Sequence, residues 1–273
     1  MSDESGTRAE VDHYGSQYGN FRKAVVQAVR HEAFGEDYGQ NGWQTADELE
    51  RFIEGLALGP ESNLLDIACG SGGPSLRIAE KSGASVVGID IHQEAISTAE
   101  AAARELGLAS RATFRQADGS RELPFDAGTF DGALCIDAIN HLPDRASVLA
   151  EWSRVLKPGG RLLYTDPIVV TGWLSDEEMR IRSSIGFFLF VPSGVNERLL
   201  DEAGFEILAV EDRTENMASM SDRWREARER HAADLRKIEG DEAFEGQQTF
   251  FETASRLAAE RRLSRYLFLG EKR

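Results

Sequence analysis

The sequence predicts an α/β fold in which a doubly wound, mostly parallel sheet of seven strands carries N-terminal helices and a helical cap. Between residues 59 and 170, short apolar runs rich in β-branched residues alternate with helical stretches, which is typical of a parallel sheet covered on both faces. Two more strand-like runs follow after residue 204, and the charged stretch between them is too long for a turn. We therefore expect helices over the open end of the sheet.

The predicted elements follow in chain order. Apolar residues at helical spacing predict helices between residues 11 and 58, interrupted by a glycine-punctuated loop at 35–43. Strands are predicted at 63–68, 85–90, 112–117, 132–136, 160–166, 205–210 and 264–269. Helices are predicted at 73–82, 94–106, 146–156, 175–182 and 193–203, with capping helices within 222–262. The chain thus divides into a tail and helical lid (1–58), a cofactor-binding core (59–170), and the last two strands with a substrate cap (171–273).

Charge and cysteine content limit the function. The 273 residues include 47 acidic and 31 basic side chains, a formal charge of -16, so neither nucleic acid nor an anionic membrane is an expected partner. The two cysteines, Cys69 and Cys135, are too few for a multi-thiolate metal site and indicate a reducing compartment; we expect no metal. The first residues show no signal-peptide pattern, and no apolar run is long enough to span a membrane. We expect a cytoplasmic protein of undetermined oligomeric state.

The most informative stretch is residues 64–74, a buried strand that ends in Asp66 and continues into a glycine-rich turn. Such a turn between a strand and a helix lets a ligand lie against bare backbone. Counting from Gly70 and Gly72, the third glycine of the dinucleotide fingerprint is replaced by Ser75. A carboxylate at the mouth of the turn would repel a pyrophosphate, whereas it suits a ligand with ammonium and sulfonium charge. S-adenosylmethionine (SAM) is therefore favoured over NAD.

Acidic residues also follow the later strands, whose carboxyl ends meet at one edge of the sheet. Asp90 can accept both hydroxyls of a ribose, and Asp118 can accept from an exocyclic amino group such as that of adenine. After the fourth strand, Asp137 and His141 place two ionisable groups beside the reactive end of the ligand. Each position also has a simpler interpretation: Asp90 or Asp118 as a helix N-cap, and His141 as a packed residue that fixes the next helix.

As a set, residues 66–73, Asp90, Asp118 and residues 156–160 resemble the motif series of class I SAM-dependent methyltransferases. The resemblance covers about residues 60–170 and implies a Rossmann-like sheet that binds SAM. Ala68 stands where the family usually has its first loop glycine, and its methyl group is tolerated where φ stays negative. The implied cofactor-binding residues are Gln40, Asp66, Ala68, Gly70, Gly72, Asp90, Ile91, Asp118, Gly119 and Ile136.

A narrower resemblance extends over nearly the whole chain. Residues 35–42 resemble the Gly-Glu-Asp/Asn loop of phosphoethanolamine N-methyltransferases and the related sarcosine/dimethylglycine N-methyltransferases. Asp137 and His141 match an aspartate and a histidine that lie beside the substrate in the phosphoethanolamine enzymes, where the histidine acts with a tyrosine of the N-terminal helix. The resemblance implies that His141, oriented by Asp137, accepts or relays the acceptor's proton, while Tyr18, or alternatively Tyr14, closes the site.

The predicted cap departs from that group. The phosphoethanolamine enzymes hold their phosphate with tyrosines and an arginine after the fifth strand and in the cap, whereas here Pro167 follows Asp166 and the cap offers phenylalanines. A phosphobase acceptor is therefore not expected. The phenylalanine run fits either the core or a substrate wall. The predicted substrate-binding residues are Tyr14, Phe187, Phe188 and Phe190.

Together these observations predict a methyltransferase that acts on a small molecule, with an amine nitrogen slightly preferred as the acceptor. Two alternatives stay open. An O- or C-methyltransferase of a hydrophobic metabolite is favoured by the phenylalanine run, and a SAM-binding protein without turnover would need no acceptor at all. The cap that would choose the acceptor is the least patterned part of the chain.

Overall fold

The structure is a computed structural model that describes residues 17–273. Tyr14, one of the predicted substrate-binding residues, lies outside this range. The alternation of apolar runs and helical stretches produces the predicted architecture: a central sheet of mostly parallel strands with helices on both faces. The predicted fold class is confirmed.

Seven strands of the central sheet lie side by side in the order β3-β2-β1-β4-β5-β8-β7, and β6 pairs with the end of β5. β1 to β5 are parallel, while β8 runs antiparallel between β5 and β7. The short β6 was not predicted as a strand; it comes from the end of the apolar run at 185–191. The bounds are β1 Asn63–Ile67, β2 Ser85–Asp90, β3 Ala112–Gln116, β4 Phe130–Cys135, β5 Leu156–Val170, β6 Val191–Pro192, β7 Phe205–Asp212 and β8 Leu263–Lys272.

The helices cover both faces of the sheet and one of its ends. Their bounds are α1 Ala24–Phe34, α2 Ala46–Leu56, α3 Gly73–Ser82, α4 Gln93–Glu105, α5 Arg145–Val155, α6 Asp176–Arg182, α7 Val195–Glu202, α8 Thr214–Arg230, α9 Ala232–Glu239 and α10 Asp241–Ala259. The apolar sides of α2, α3 and α4 pack on one face of the sheet, around Phe52 and Leu76. Those of α5 and α7 pack on the other face, around Trp152 and Leu200. The sheet is therefore buried on both sides, as its apolar strands predict.

A third apolar cluster lies in the helices beyond the sheet. α8 and α10 pack against each other and α1 packs on α8, which brings Phe34, Trp224 and Phe251 together. The charged faces of these helices point to solvent while their aromatic residues are buried. The predicted capping helices within 222–262 are thus present as the end of α8, α9 and α10. Within residues 17–273, no helix combines the length and the apolar character that a membrane span needs.

Candidate active site

A cavity of about 760 Å³ lies beyond the carboxyl ends of β1, β2 and β4, between the sheet and the helical cap. This is the edge at which open α/β sheets bind ligands. We call the part formed after β1, β2 and β3 the turn half; it comprises Asp66, Ala68, Gly70, Ser71, Asp90, Ile91, Asp118 and Gly119. We call the opposite part the cap half; it comprises Trp43, Asn140, His141, Arg182, Ile185, Phe187, Phe188, Trp224, Phe250 and Phe251.

The glycine-rich turn adopts a backbone that favours glycine. Gly70 and Gly72 have φ of 55° and 79°, in the left-handed region. A Cβ on Gly72 would lie 2.7 Å from the Cβ of Ala99, so this glycine permits close packing between α3 and α4. Gly72 does not line the cavity, so the predicted contact with a cofactor is corrected to a packing role. Ala68 has φ of 57°, so the condition under which its methyl group was expected to be tolerated, a negative φ, is not met.

Asp66 is buried beneath the turn. Its Oδ2 accepts a hydrogen bond from Ser75 Oγ at 2.5 Å, and the residue is only 2% exposed. Burial raises the pKa of this carboxyl to about 7 because the charged form loses its hydration. A positively charged ligand in the turn half would favour the carboxylate again.

Asp90 holds the turn in place. Its Oδ2 accepts from the backbone N–H of Gly70 at 2.9 Å, and its Oδ1 accepts from the N–H of His92 at 2.9 Å. His92 Nδ1 also lies 3.0 Å from Oδ1, so accepting both ribose hydroxyls would require the imidazole to leave that oxygen. The alternative of a helix N-cap does not hold, because the residue at the N-cap of α4 is His92.

Asp118 closes a tight turn after β3. Its Oδ1 accepts from the backbone N–H and the hydroxyl of Ser120, at 2.9 and 2.6 Å. The next described helix begins at Arg145, so Asp118 is not a helix N-cap either. Asp118 and Gly119 line the turn half together with Ile91, and Ile136 lines the cavity after β4. These four predicted cofactor residues therefore all line the cavity.

Two predicted residues of the N-terminal region have different surroundings. The Gln40 side chain is fully buried in its own loop, where Oε1 accepts from Tyr38 N at 2.8 Å and Nε2 donates to Glu36 O at 2.6 Å. It does not line the cavity, so its predicted role in cofactor binding is corrected to that of a loop brace. The hydroxyl of Tyr18 lies 3.0 Å from where a Cβ on Gly70 would stand. The Tyr18 ring packs against His92, with centroids 5.7 Å apart, so Tyr18 covers the turn half.

Asp137 belongs to a buried ion network. Its Oδ1 accepts from Arg265 Nε and Thr165 Oγ1, both at 2.7 Å, and its Oδ2 accepts from Trp43 N at 3.1 Å. Arg265 also donates to both carboxylate oxygens of Glu48, at 2.7 and 2.9 Å. The network joins α2, β8 and the end of β4. Asp137 itself has φ of 52°, a left-handed conformation in which these bonds hold it.

The predicted hydrogen-bonded pair of Asp137 and His141 does not form: between these two described side chains the structure has no hydrogen bond, because Arg265 and Thr165 occupy the carboxylate. His141 Nδ1 lies instead 2.8 Å from the carbonyl oxygen of Phe187. A carbonyl only accepts, so Nδ1 carries the proton and Nε2 carries the lone pair. Burial lowers the pKa of His141 to about 4, and the charge of Arg182 adds to this shift. The imidazole is therefore neutral at pH 7.

Aromatic residues form most of the cap half. The Phe188 ring meets the His141 ring edge-on, with centroids 4.7 Å apart, and Phe187 is 42% exposed beside the cavity. Phe190 lies outside the cavity and packs near Leu257 and Leu263, so its predicted role in substrate binding is corrected to core packing.

The sequence analysis missed several residues of the cavity. Trp43, Trp224, Phe250 and Phe251 come from three distant segments, so no local pattern could have grouped them. Arg182, at the end of α6, is fully buried with its guanidinium 4.2 Å from the centroid of the Phe250 ring. Asn140, which directly precedes His141, also lines the cavity and was not predicted as a site residue.

The turn half fits SAM by its donor and acceptor chemistry. Gly70 leaves backbone uncovered, and the carboxylates of Asp66, Asp90 and Asp118 suit a ligand rich in donors and positive charge. Buried polar atoms complete the fit. Within the described part of the chain, Ser71 Oγ and Gln44 Oε1 line the cavity without hydrogen-bond partners, and such atoms call for a ligand or water.

The fold and the site agree with the predicted resemblance to SAM-dependent methyltransferases. Residues 65–164 match the family model described as Methyltransferase domain. The predicted family and cofactor are thereby confirmed.

Two curated bacterial relatives illustrate the similarity. The chain is 34% identical over 172 residues to "Methyltransferase GfsG" of Streptomyces halstedii, covering 61% of this chain and 60% of that protein. It is 33% identical over 166 residues to "27-O-demethylrifamycin SV methyltransferase" of Amycolatopsis mediterranei, covering 60% and 61%. The chain thus spans about three fifths of the length of these relatives.

Two solved structures share the fold. The [4+2]-cyclase SpnF superposes with a TM-score of 0.77 at 25% identity, over 98% of this chain and 96% of that chain. A phosphoethanolamine N-methyltransferase 2 of Haemonchus contortus, in complex with phosphomonomethylethanolamine and S-adenosylhomocysteine, superposes with a TM-score of 0.78 at 21% identity. That match covers 95% of this chain and 60% of the other.

Proposed function

We propose that the protein transfers a methyl group from SAM to a hydroxyl oxygen of a largely apolar small molecule. The observation that carries this proposal is a neutral histidine in an aromatic wall: His141, whose Nδ1 proton is engaged by the carbonyl of Phe187. The cap half supplies the apolar surface, and the cavity of about 760 Å³ lies within the roughly 300–1,000 Å³ that ligand sites usually span.

The turn half would hold the cofactor. Asp66 would face its positive charge, Asp90 would accept from a ribose hydroxyl, and Asp118 would accept from the adenine amino group. Tyr18 would close the turn half from above, which is a positioning role beside Gly70. When bound, SAM supplies an activated methyl group, so the protein chiefly aligns the two reactants, and alignment can contribute on the order of 7–11 kcal/mol.

His141 would manage the proton of the acceptor. Its Nε2 lone pair can accept the hydroxyl proton as the oxygen gains the methyl group. A base with a pKa of about 4 is weak, so we place its contribution near the lower end of the roughly 10²–10⁴-fold range for general bases. Asp137 would act only indirectly, because its bond to Trp43 N fixes a wall of the cap half.

Charge favours an oxygen acceptor over a protonated amine. The guanidinium of Arg182 lines the cap half, and its charge already contributes to the lowered pKa of His141. An ammonium group at the same place would meet the same repulsion from Arg182, offset in part by the attraction of Asp166 and Asp137. The relative 27-O-demethylrifamycin SV methyltransferase is named for an O-demethyl compound. The amine acceptor stays a prediction that the same assay tests.

The test is a panel of phenols, alcohols, amines and enolisable compounds, assayed by release of S-adenosylhomocysteine. We expect turnover with hydroxyl compounds on apolar scaffolds, and a kcat reduced by about 10²–10³ in His141→Ala with unchanged SAM affinity. His31→Ala, at an exposed site on α1, is the matched control and should behave as wild type. Normal turnover in His141→Ala would refute the role of His141, and turnover with amines alone would refute the oxygen acceptor.

A second candidate is supported by one observation. The [4+2]-cyclase SpnF matches nearly the full length of both chains, yet its name describes a reaction other than methyl transfer. An apolar cavity beside a bound cofactor could likewise fold a substrate without methylating it. Binding of SAM, no S-adenosylhomocysteine from any acceptor, and a ring-closed product of unchanged mass would favour this candidate.

The division of the chain into a lid (1–58), a core (59–170) and a cap (171–273) is also a proposal. It is supported by the loop at 35–43, which packs onto the turn so closely that a Cβ on Gly73 would lie 2.4 Å from the backbone of Gly39.

A further inference from the structure

Asn140 is a buried amide whose side chain makes no hydrogen bond to any residue that the structure describes. It is 1% exposed, it lines the cavity, and both Oδ1 and Nδ2 are without partners in the described chain. Its backbone is well fixed, because its carbonyl accepts from Leu189 N at 2.8 Å. The residue thus lies at the cavity wall with a fixed backbone and with a buried side-chain donor and acceptor that no described residue pairs.

Burying such a group lowers the stability of a fold, so native structures nearly always pair it. Asn196 shows the contrast, since it is equally buried and fully engaged. Its Oδ1 accepts from Arg145 Nη1 at 2.7 Å, and its Nδ2 donates to Asp166 Oδ2 at 2.9 Å. Asn196 is a structural asparagine. The unpaired state of Asn140 within the described chain, like that of Ser71 Oγ, calls for a ligand or a water at the cavity.

The position of Asn140 indicates which ligand. It precedes His141, and its backbone partner Leu189 lies two residues from Phe187, whose carbonyl orients His141. These contacts place Asn140 with the cap half. An amide offers a donor and an acceptor side by side, which a carboxamide complements fully, whereas a plain carbonyl pairs only with the Nδ2 donor.

We infer that Asn140 recognises the methyl acceptor, and that this acceptor carries a carbonyl or carboxamide next to the hydroxyl that is methylated. The inference rests on the proposed function. In this arrangement the acceptor's carbonyl accepts from Asn140 Nδ2, while its hydroxyl donates to Nε2 of His141. The pair of contacts fixes which hydroxyl of an apolar scaffold faces the methyl donor. A site built to pair a polar group rejects analogues that lack it.

The test compares two probes, 1-hydroxy-2-naphthamide and 1-naphthol, which differ in the carboxamide beside the hydroxyl. Binding is measured by calorimetry with S-adenosylhomocysteine present, so that no turnover is needed. We expect the wild type to bind the naphthamide at least about 10-fold more tightly. Asn140→Leu should remove this preference, keep the affinity for S-adenosylhomocysteine, and leave the melting temperature equal or higher, because an unpaired amide is replaced by an apolar group of similar size.

Asn196→Leu is the matched control, and it should lower the melting temperature because it leaves the Arg145–Asp166 pair without a partner. The inference is overturned when the wild type binds both probes equally or neither, when the preference survives in Asn140→Leu, or when Asn140→Leu weakens S-adenosylhomocysteine or unfolds like the control. Selective binding of the naphthamide without methyl transfer would support the inference while refuting the proposed function.

Discussion

The two halves of the cavity are assembled in opposite ways. The turn half consists of residues that directly follow β1, β2 and β3, and its bonds are short in sequence or join neighbouring strands, as between Asp90 and Gly70. The cap half draws on the loop before α2, the 3₁₀ turn Ile139–His141, the segment after α6, and α8 and α10. Cofactor chemistry is thus encoded locally, whereas acceptor chemistry depends on tertiary packing. The Glu48–Arg265–Asp137 network links N-terminal, sheet and cap segments around the cavity.

The largest loss of stability should come from removing Arg265, which pairs with both Glu48 and Asp137. Arg265→Met would leave the buried carboxylate of Asp137 without its cation and that of Glu48 with only Arg213, whose Nε lies 3.7 Å away. Removing one partner of a buried ion pair costs about 3–5 kcal/mol, and we expect this loss in the free energy of unfolding measured with urea. The loop at 42–43 should loosen as well, because Asp137 Oδ2 accepts from Trp43 N.

Arg161→Met provides the control for this prediction. Arg161 on β5 pairs with Glu271 on β8, and its Nε lies 3.2 Å from Glu271 Oε2. Both side chains are about one-third exposed. A pair of this kind is worth up to about 1 kcal/mol. Equal losses in the two variants would contradict the idea that burial makes the Glu48–Arg265–Asp137 network the stronger of the two interactions.

A change in the turn half should affect the cofactor alone. Asp90→Ala removes the acceptor of Gly70 N and the proposed ribose contact, so SAM should bind more weakly by about 1.5–3 kcal/mol. Asp90→Asn, which keeps an acceptor oxygen, should lose less. Calorimetric titration measures both, and Asp131→Ala, remote from the cavity beside Lys157, should bind SAM as wild type. An unchanged dissociation constant in Asp90→Ala would show that Asp90 is not at the cofactor.

The same contrast explains how far the sequence could predict the structure. The strand at 85–90 and the helix at 73–82 have the predicted bounds, because an apolar run or a helical pattern between glycines is a local signal. Asp66, Asp90 and Asp118 share the predicted wall, since parallel strands end at one edge.

Other features depended on contacts that no local pattern contains. The sequence spacing suggested that Asp137 orients His141, but Arg265, 128 residues further along, occupies the carboxylate. Gln40 resembled a family position, yet its amide is used by its own loop. Trp224 and Phe251 are stacked, with centroids 5.8 Å apart, only because α8 and α10 pack together. Such contacts are decided by the whole fold.

The pH dependence of SAM binding should be a property of the turn half, because the carboxyl that titrates, Asp66, belongs to it. The Asp66 carboxyl has a pKa of about 7 in the cofactor-free protein, against about 4 when unfolded, so burial favours its protonated form. Stability of the cofactor-free protein should therefore fall as the pH rises from about 4 to 7. A cationic cofactor favours the carboxylate, so SAM affinity should rise with pH up to about 7, by at most tenfold per unit, and then level off.

Titrations between pH 5.5 and 8.5 measure this effect, and two buffers of different ionisation enthalpy report the released proton. Asp66→Asn is the control: it should bind SAM more weakly and lose the rise. A wild-type affinity that is constant over this range would place the positive charge of the cofactor away from Asp66.

The smallest expected change in stability is at Ala68, whose φ of 57° strains the turn. Ala68→Gly removes a left-handed penalty of roughly 1–2 kcal/mol but adds about 0.5–1 kcal/mol of chain entropy, so we expect a net gain of about 0.5–1 kcal/mol in the free energy of unfolding. Ala57→Gly, at φ of 51° after α2 and outside the cavity, should gain as much. SAM titration then separates the two: a changed affinity in Ala68→Gly alone would mean that the methyl group of Ala68 shapes the turn half, whereas equal affinities would mean that the strain is only structural.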